Sequence, residues 1–126
     1  MASIMICDPC PDGAPGERLA DSLGGNGHAV ELFSDRFAFL EAVIARPPVF
    51  VVYGLCSEFD PDLRVLRMLR RVCPGVLLIV LTHESTLEQR SAVQPLRPIF
   101  YSVAPPDSLE VNEVIRAALR RPQHSN

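Results

Sequence analysis

The stretch GVLLIVLT, residues 75–82, is an unbroken apolar run that ends at a threonine. The stretch VFVVYG, residues 49–54, has the same character. Apolar runs without polar alternation are typical of strands that are covered on both faces, as in a parallel sheet. The two stretches therefore predict the central strands of an α/β domain.

Shorter apolar runs and amphipathic segments alternate around these two strands. Three further strands are predicted at 3–8, 28–33 and 98–103. Helices are predicted at 15–27, 34–48, 60–73, 84–93 and 107–121. Strands that alternate with amphipathic helices predict a doubly wound five-stranded parallel sheet with right-handed crossovers. We assign residues 1–121 to this single domain and residues 122–126 to a polar tail.

The second predicted helix, 34–48, has an amphipathic pattern. Phe37, Leu40 and Ile44 recur at helical spacing, so we expect one face that carries all three to be buried. Ser34 precedes the first apolar residue and is expected to cap the helix.

Three acidic residues, Glu58, Asp60 and Asp62, follow the strand at 49–54. Asp60 stands directly before Pro61, which is a common pattern at a capped helix start. Carboxylates at this place can also offer oxygens to a metal ion. The interpretation we favour is that Asp60 caps the third helix and that Glu58 and Asp62 are solvated.

The charged residues exclude several functions. All twelve basic residues are arginine, so a phosphate-binding or Schiff-base lysine is absent from the chain. The net charge of −3 argues against a nucleic-acid-binding module. No apolar run approaches the length of a membrane span, and no secretory signal is present. We therefore expect a cytoplasmic protein with reduced thiols that binds neither membranes nor nucleic acid.

Ligands of doubly wound sheets bind at the carboxyl ends of the strands. The residues just past the predicted strands are therefore the candidate site residues. They are Asp8 to Cys10, Tyr53 to Cys56, Thr82 to His83, and Val103 to Pro105.

Four motifs at these strand ends occur in one order. Asp8 follows the first strand, RPPVFVVY forms the third, VLLIVLTH forms the fourth, and FYSVAPPDSLE spans the fifth strand and the start of the last helix. In these motifs the chain resembles the receiver domain of two-component response regulators, over essentially its whole length. The resemblance implies a flavodoxin-like (βα)5 fold with strand order 2-1-3-4-5 and a role in phosphorelay signal transduction.

Part of the receiver site is retained in the motifs. Asp8 matches the first acid of the family's acidic pair. Thr82 matches the hydroxyl residue that senses the phosphoryl group, and His83 follows it where the family usually has a small residue. Tyr101 matches the aromatic residue of the family's switch.

The remaining receiver chemistry is missing. Pro9 stands where the family has its metal-binding acid, and Ala104 stands where it has a lysine. The alignment places Tyr53 at the phosphoacceptor position, and a shift of one residue places Gly54 there. The resemblance therefore implies a degenerate receiver, or pseudo-receiver, which is not an enzyme and holds no metal or cofactor.

The cysteines suggest an alternative. Cys7 and Cys10 form a C-x-x-C motif, but Cys7 is expected to lie in the core as a small apolar residue. If strand one lies beside strand three, Cys10 and Cys56 face each other at the pocket mouth, with His83 nearby. A redox- or metal-responsive protein built on these residues is the first alternative function. A flavodoxin-like cofactor binder is the second.

As a degenerate receiver, the chain is expected to bind a protein partner, either a histidine kinase or a second copy. The expected surface is formed by the fourth helix, the fifth strand and the fifth helix. Leu87, Val93 and Leu96 are expected to form an exposed apolar strip there, rimmed by Arg90 and Arg97.

We also expect two bulky side chains, Tyr53 and His83, to narrow the mouth of the pocket. A pocket closed in this way would hold the switch in one state.

Overall fold

Five parallel strands form one sheet in the order β2-β1-β3-β4-β5, which confirms the predicted topology. The computed structural model describes residues 2–10, 14–56, 58–82, 86–103 and 108–120. The strands are β1 (Ser3–Cys7), β2 (Ala29–Phe33), β3 (Phe50–Leu55), β4 (Leu77–Thr82) and β5 (Phe100–Val103). The helices are α1 (Ala14–Gly25), α2 (Arg36–Ala45), α3 (Asp60–Val72), α4 (Leu87–Val93) and α5 (Ser108–Arg120), and a 3-10 turn spans Gln94–Leu96.

The sheet separates two layers of core. In β3, Val51 and Tyr53 point to the layer that contains α2 and α3. Phe50 and Val52 point to the layer that contains α1 and α5. The alternation explains why the strand has no charged residue, since both of its faces are buried.

Of the three residues on the predicted face of the second helix, only Leu40 is buried. Phe37 and Ile44 are exposed, whereas Phe39 is buried. The Phe39 ring packs edge-on against the rings of Phe33 and Tyr53, with centroids 6.0 Å away in both cases. The helix is capped by Asp35 instead of Ser34, through bonds to two backbone amides of the first turn.

The predicted apolar strip on the fourth helix is wrong. Leu87 is 81% exposed, but Leu96 is only 6% exposed and Val93 is buried with it in the core. Arg70 of α3 explains why the 3-10 turn folds inward. Its guanidinium donates hydrogen bonds to the carbonyl oxygens of Leu96 at 2.7 Å and Arg97 at 3.0 Å, so the turn is tied to α3.

None of the helices in the described ranges is long and apolar enough to cross a membrane. His83, Ala104 and the predicted tail at 122–126 lie outside the described residues.

Candidate functional site

The carboxylate of Asp8 lies at the carboxyl edge of the sheet against two glycines. The register pairs Cys7 with Tyr53, so Asp8 lies opposite Gly54 on the neighbouring strand. A Cβ atom on Gly54 would lie 3.2 Å from Asp8 Oδ1, and one on Gly16 would lie 2.8 Å from Oδ2. The Asp8 carboxylate is therefore packed closely against the backbone of Gly16 and Gly54, and Gly54, its neighbour on β3, has no side chain.

The described residues around Asp8 do not fit the magnesium ion that receiver phosphorylation requires. Magnesium is bound by several oxygen ligands in near-octahedral geometry. Pro9 and Gly54 offer no side-chain oxygen. Within the described ranges, no group of three or more histidine, cysteine or acidic side chains is arranged to hold a metal ion.

Tyr53 points to the opposite face of β3 from Gly54. Its side chain is fully buried, and its hydroxyl donates a hydrogen bond to Asp62 Oδ1 at 2.6 Å. Burial, and then the neighbouring Cys7 and Asp62, raise the pKa of the phenol well above its ordinary value. Tyr53 is therefore a core residue, and the expectation that it narrows the pocket mouth is wrong.

Asp62 is the centre of a buried polar cluster, and it was expected to be solvated. Its side chain is 0% exposed, and besides Tyr53 it accepts hydrogen bonds from Arg36 Nε at 2.7 Å and the Cys56 amide at 2.9 Å. Burial acts to lower the pKa of Arg36, but the bond and the charge of Asp62 outweigh it and raise that pKa. Asp62 thus joins α2, α3 and the end of β3.

The sequence contained a signal for this buried acid. Asp62, Leu66 and Leu69 recur at positions i, i+4 and i+7, so Asp62 lies on the apolar stripe of α3. Asp60 does not cap this helix: it is the first helical residue, and the N-cap residue is Phe59, which makes no side-chain capping bond.

Gln89 brings together the two residues that match the receiver switch. Thr82 Oγ1 and the Tyr101 hydroxyl each donate a hydrogen bond to Gln89 Oε1, both at 2.9 Å. The backbone amide of Gln89 donates a hydrogen bond to Thr86 Oγ1, the cap of α4. The Arg90 guanidinium lies 5.8 Å from the centre of the Tyr101 ring. No sequence motif identified Gln89, since a glutamine in a short helix is ordinarily exposed.

A groove of about 470 Å³ lies beside this cluster. It is lined by Arg90, Val93, Gln94, Arg97, Pro98 and Tyr101. The lining combines two arginine side chains with a half-buried aromatic ring and apolar side chains.

The sulfur atoms of Cys10 and Cys56 lie 2.6 Å apart as free thiols. Both residues are half-buried, and Arg36 Nη2 lies 3.8 Å from the Cys56 sulfur. Cys7 is fully buried in the core, so the thiol of Cys10 faces Cys56 instead of its partner in the C-x-x-C motif. The structure thus brings together the two cysteines that the strand order placed at the pocket mouth.

The fold is shared with receiver domains of known structure. A CheY-like response regulator receiver domain protein from Methanospirillum hungatei has a TM-score of 0.83 at 18% identity, with 94% of each chain covered. A two-component response regulator from Clostridium difficile has a TM-score of 0.83 at 16% identity, with 96% of this chain and 98% of that chain covered. A chemotaxis protein from Vibrio cholerae has a TM-score of 0.79 at 13% identity, with 93% of this chain and 98% of that chain covered.

Similarity in sequence does not extend as far as similarity in structure. No family model and no curated protein sequence matches the chain. The chain therefore has the fold of CheY-like response regulator receiver domains, at identities that establish the fold alone.

Proposed function

We propose that this chain is a degenerate receiver domain that acts in cytoplasmic signalling by binding another protein, without aspartyl phosphorylation and without enzymatic activity. The observation that carries the proposal is Gly54. It lies opposite Asp8 at the end of β3, where the resemblance places the phosphoacceptor. Of the two alignments of this position, the strand register favours Gly54 over Tyr53.

The lost groups are those that the phosphorylation chemistry needs. Transfer to an aspartate requires a carboxylate nucleophile, a bound metal and a cation near the developing charge. Gly54 offers no nucleophile, Pro9 offers no metal ligand, and the chain contains no lysine. Tyr53 cannot serve as a substitute acceptor, because its hydroxyl is buried and bonded to Asp62.

The retained groups support a switch that is held in one arrangement. Gln89 is bonded to both Thr82 and Tyr101, which ties the end of β4 to β5 through α4. A module held in this way presents a constant surface to its partner. We propose that the partner docks on the face formed by α4, β5 and α5, with acidic side chains near Arg97 at the rim of the groove. A histidine kinase or a second copy of the chain fits this role.

A glutamine substitution tests the locked arrangement. Gln89→Leu removes the acceptor that Thr82 and Tyr101 share, and we expect it to lower the free energy of unfolding by about 1–2 kcal/mol. We also expect exchange broadening of the Tyr101 ring signals by NMR, whereas the unmodified chain gives one ring orientation. Gln94→Leu, at an exposed position of the same segment, is the matched control. It should change neither the free energy of unfolding nor the Tyr101 ring signals.

The same NMR experiment tests the proposed function. Beryllofluoride with Mg²⁺ should leave the signals of Thr82, Gln89 and Tyr101 unchanged, because no carboxylate lies at the acceptor position. Shifted signals at these residues, or two populated orientations of Tyr101 in the unmodified chain, would contradict a locked switch.

The cofactor-binding alternative depends on the loop after β1. Residues 11–13 of this loop lie outside the described part of the chain, and we do not propose a cofactor.

A further inference from the structure

We propose that Cys10 and Cys56 are a redox modification site, at which a low-molecular-weight disulfide converts the two thiols into a reversible intramolecular disulfide. The inference rests on the thiol geometry and not on the proposed function, because the bond is detected directly. A chain found to be phosphorylated would refute that function and leave this site unaffected.

The two sulfurs are positioned by different parts of the sheet. Cys10 follows β1 and Cys56 follows β3, which are hydrogen-bonded neighbours. The Cys56 amide is fixed by Asp62, so this cysteine is held at the end of its strand. The two sulfur atoms lie within bonding reach of each other, so the disulfide needs only a small adjustment of the two side chains.

The other two cysteines do not compete for this bond. Cys7 is fully buried among core side chains. Cys73 ends α3 and bonds through its carbonyl to the Val76 amide, at the start of β4 and thus at the opposite edge of the sheet. Cys10 and Cys56 are half-buried, so a small disulfide can reach them.

The chemistry proceeds in two exchange steps. The thiolate of Cys56 attacks the small disulfide RSSR, which forms a mixed disulfide and releases one RS⁻, protonated to RSH by solvent. Cys10 then loses its proton and attacks the Cys56 sulfur, which forms the protein disulfide and releases the second RSH. Two protein thiols are oxidised, and one RSSR is reduced to two RSH.

The surroundings favour Cys56 as the first nucleophile. Burial raises the pKa of its thiol, but the Arg36 guanidinium lies 3.8 Å from the sulfur and opposes that rise. Burial, and with it the carboxylate of Asp8, raises the pKa of Cys10. Cys10 therefore keeps its proton longer and acts second.

Burial sets the dependence of the reaction on pH. Burial raises the pKa of both thiols, and the carboxylates of Asp62 on α3 and Asp8 after β1 raise both pKa values further. At Cys56, the positive charge of Arg36 on α2 opposes the rise in pKa. The thiolate is the reactive form, so we expect the oxidation rate to rise about tenfold per pH unit between about pH 6 and 8.

Mass spectrometry of the full chain after incubation with glutathione disulfide tests the site. We expect the intact mass to fall by two hydrogen atoms and to recover with dithiothreitol. Trypsin should then release residues 1–18 joined to residues 37–64, because cleavage does not occur before Pro47. Fragmentation of this linked pair of peptides should show that Cys10, and not Cys7, carries the bond. The oxidised chain should melt about 5–15 °C higher, since the bond closes a loop across a separation of 46 residues.

Single variants test the order of the two steps. Cys10→Ser should retain one glutathione on Cys56, because the resolving thiol is gone. Cys56→Ser should take up glutathione on Cys10 at least tenfold more slowly, and Cys73→Ser should form the disulfide as the unmodified chain does. A bond that involves Cys7 or Cys73, or no bond at all in an excess of glutathione disulfide, would overturn the proposal. Equal labelling of the Cys10→Ser and Cys56→Ser variants would overturn the assigned order.

Discussion

Replacement of Asp62 by alanine is expected to lower the free energy of unfolding by about 2–6 kcal/mol, because it leaves two hydrogen-bond donors, the Tyr53 hydroxyl and the Cys56 amide, without their acceptor, at about 1–3 kcal/mol each. The carboxylate accepts hydrogen bonds from Tyr53, Arg36 and the Cys56 amide, and its side chain is 0% exposed. Arg36 is 31% exposed and can turn toward solvent. The Tyr53 hydroxyl is buried and cannot do so, which makes the loss large.

Urea denaturation of the Asp62→Ala variant, followed by circular dichroism, measures this effect. Asp60→Ala is the matched control, because Asp60 lies in the same first turn of α3 but is exposed. Both substitutions remove a negative charge near the helix N-terminus, so their difference isolates the buried contacts. A loss below about 1 kcal/mol for Asp62→Ala, or equal losses for both variants, would contradict the buried cluster.

Replacement of Leu96 by aspartate is expected to unfold most of the chain. Leu96 is 6% exposed and packs in the core, and the substitution both removes its apolar contacts and buries a carboxylate. Removing a buried leucine side chain costs about 2–5 kcal/mol, and the unpaired charge adds to this. The total is comparable to the whole stability of a typical domain, which is about 5–15 kcal/mol.

Leu87→Asp is the matched control for Leu96→Asp. Leu87 is 81% exposed at the first position of α4, where an aspartate suits the helix dipole. We expect its melting temperature to stay within a few degrees of that of the unmodified chain. If Leu96→Asp melted like Leu87→Asp, the turn at Gln94–Leu96 would not be packed against α3 as described.

The sheet could be predicted from the sequence because its strands are extreme in composition. The runs at 49–54 and 75–82 are apolar at every position or nearly so, and only a sheet covered on both faces buries them completely. The strand order 2-1-3-4-5 came from the resemblance, and with it came the prediction that Cys10 and Cys56 face each other.

The features that could not be predicted depend on contacts between distant segments. Leu96 is drawn inward by Arg70, which lies 26 positions earlier in the chain, and no local pattern reports such a bond. The buried face of α2 is set by where Phe39 meets Phe33 and Tyr53 on the sheet. Periodicity alone allows either face of a helix that is apolar nearly all round.

Asp62 is an intermediate case. Its position on the apolar stripe of α3 was visible in the sequence, but so was its place near a helix start, where an aspartate is ordinarily solvated. The partner that makes its burial tolerable is Arg36, which lies 26 positions earlier on α2. The pairing of Asp62 with Arg36 could be recognised only in the tertiary structure. The same holds for the hydrogen bond by which Asp62 fixes the Cys56 amide.

The most direct test of the central claim is the intact mass of the chain after incubation with acetyl phosphate and Mg²⁺. The claim is that a receiver fold has kept Asp8, Thr82 and Tyr101 but lost its phosphoacceptor. We predict that the mass stays that of the unmodified chain, because Gly54 stands where the acceptor carboxylate is expected. The gain of one phosphoryl group at an acid-labile acyl site, removed by hydroxylamine, would contradict the claim.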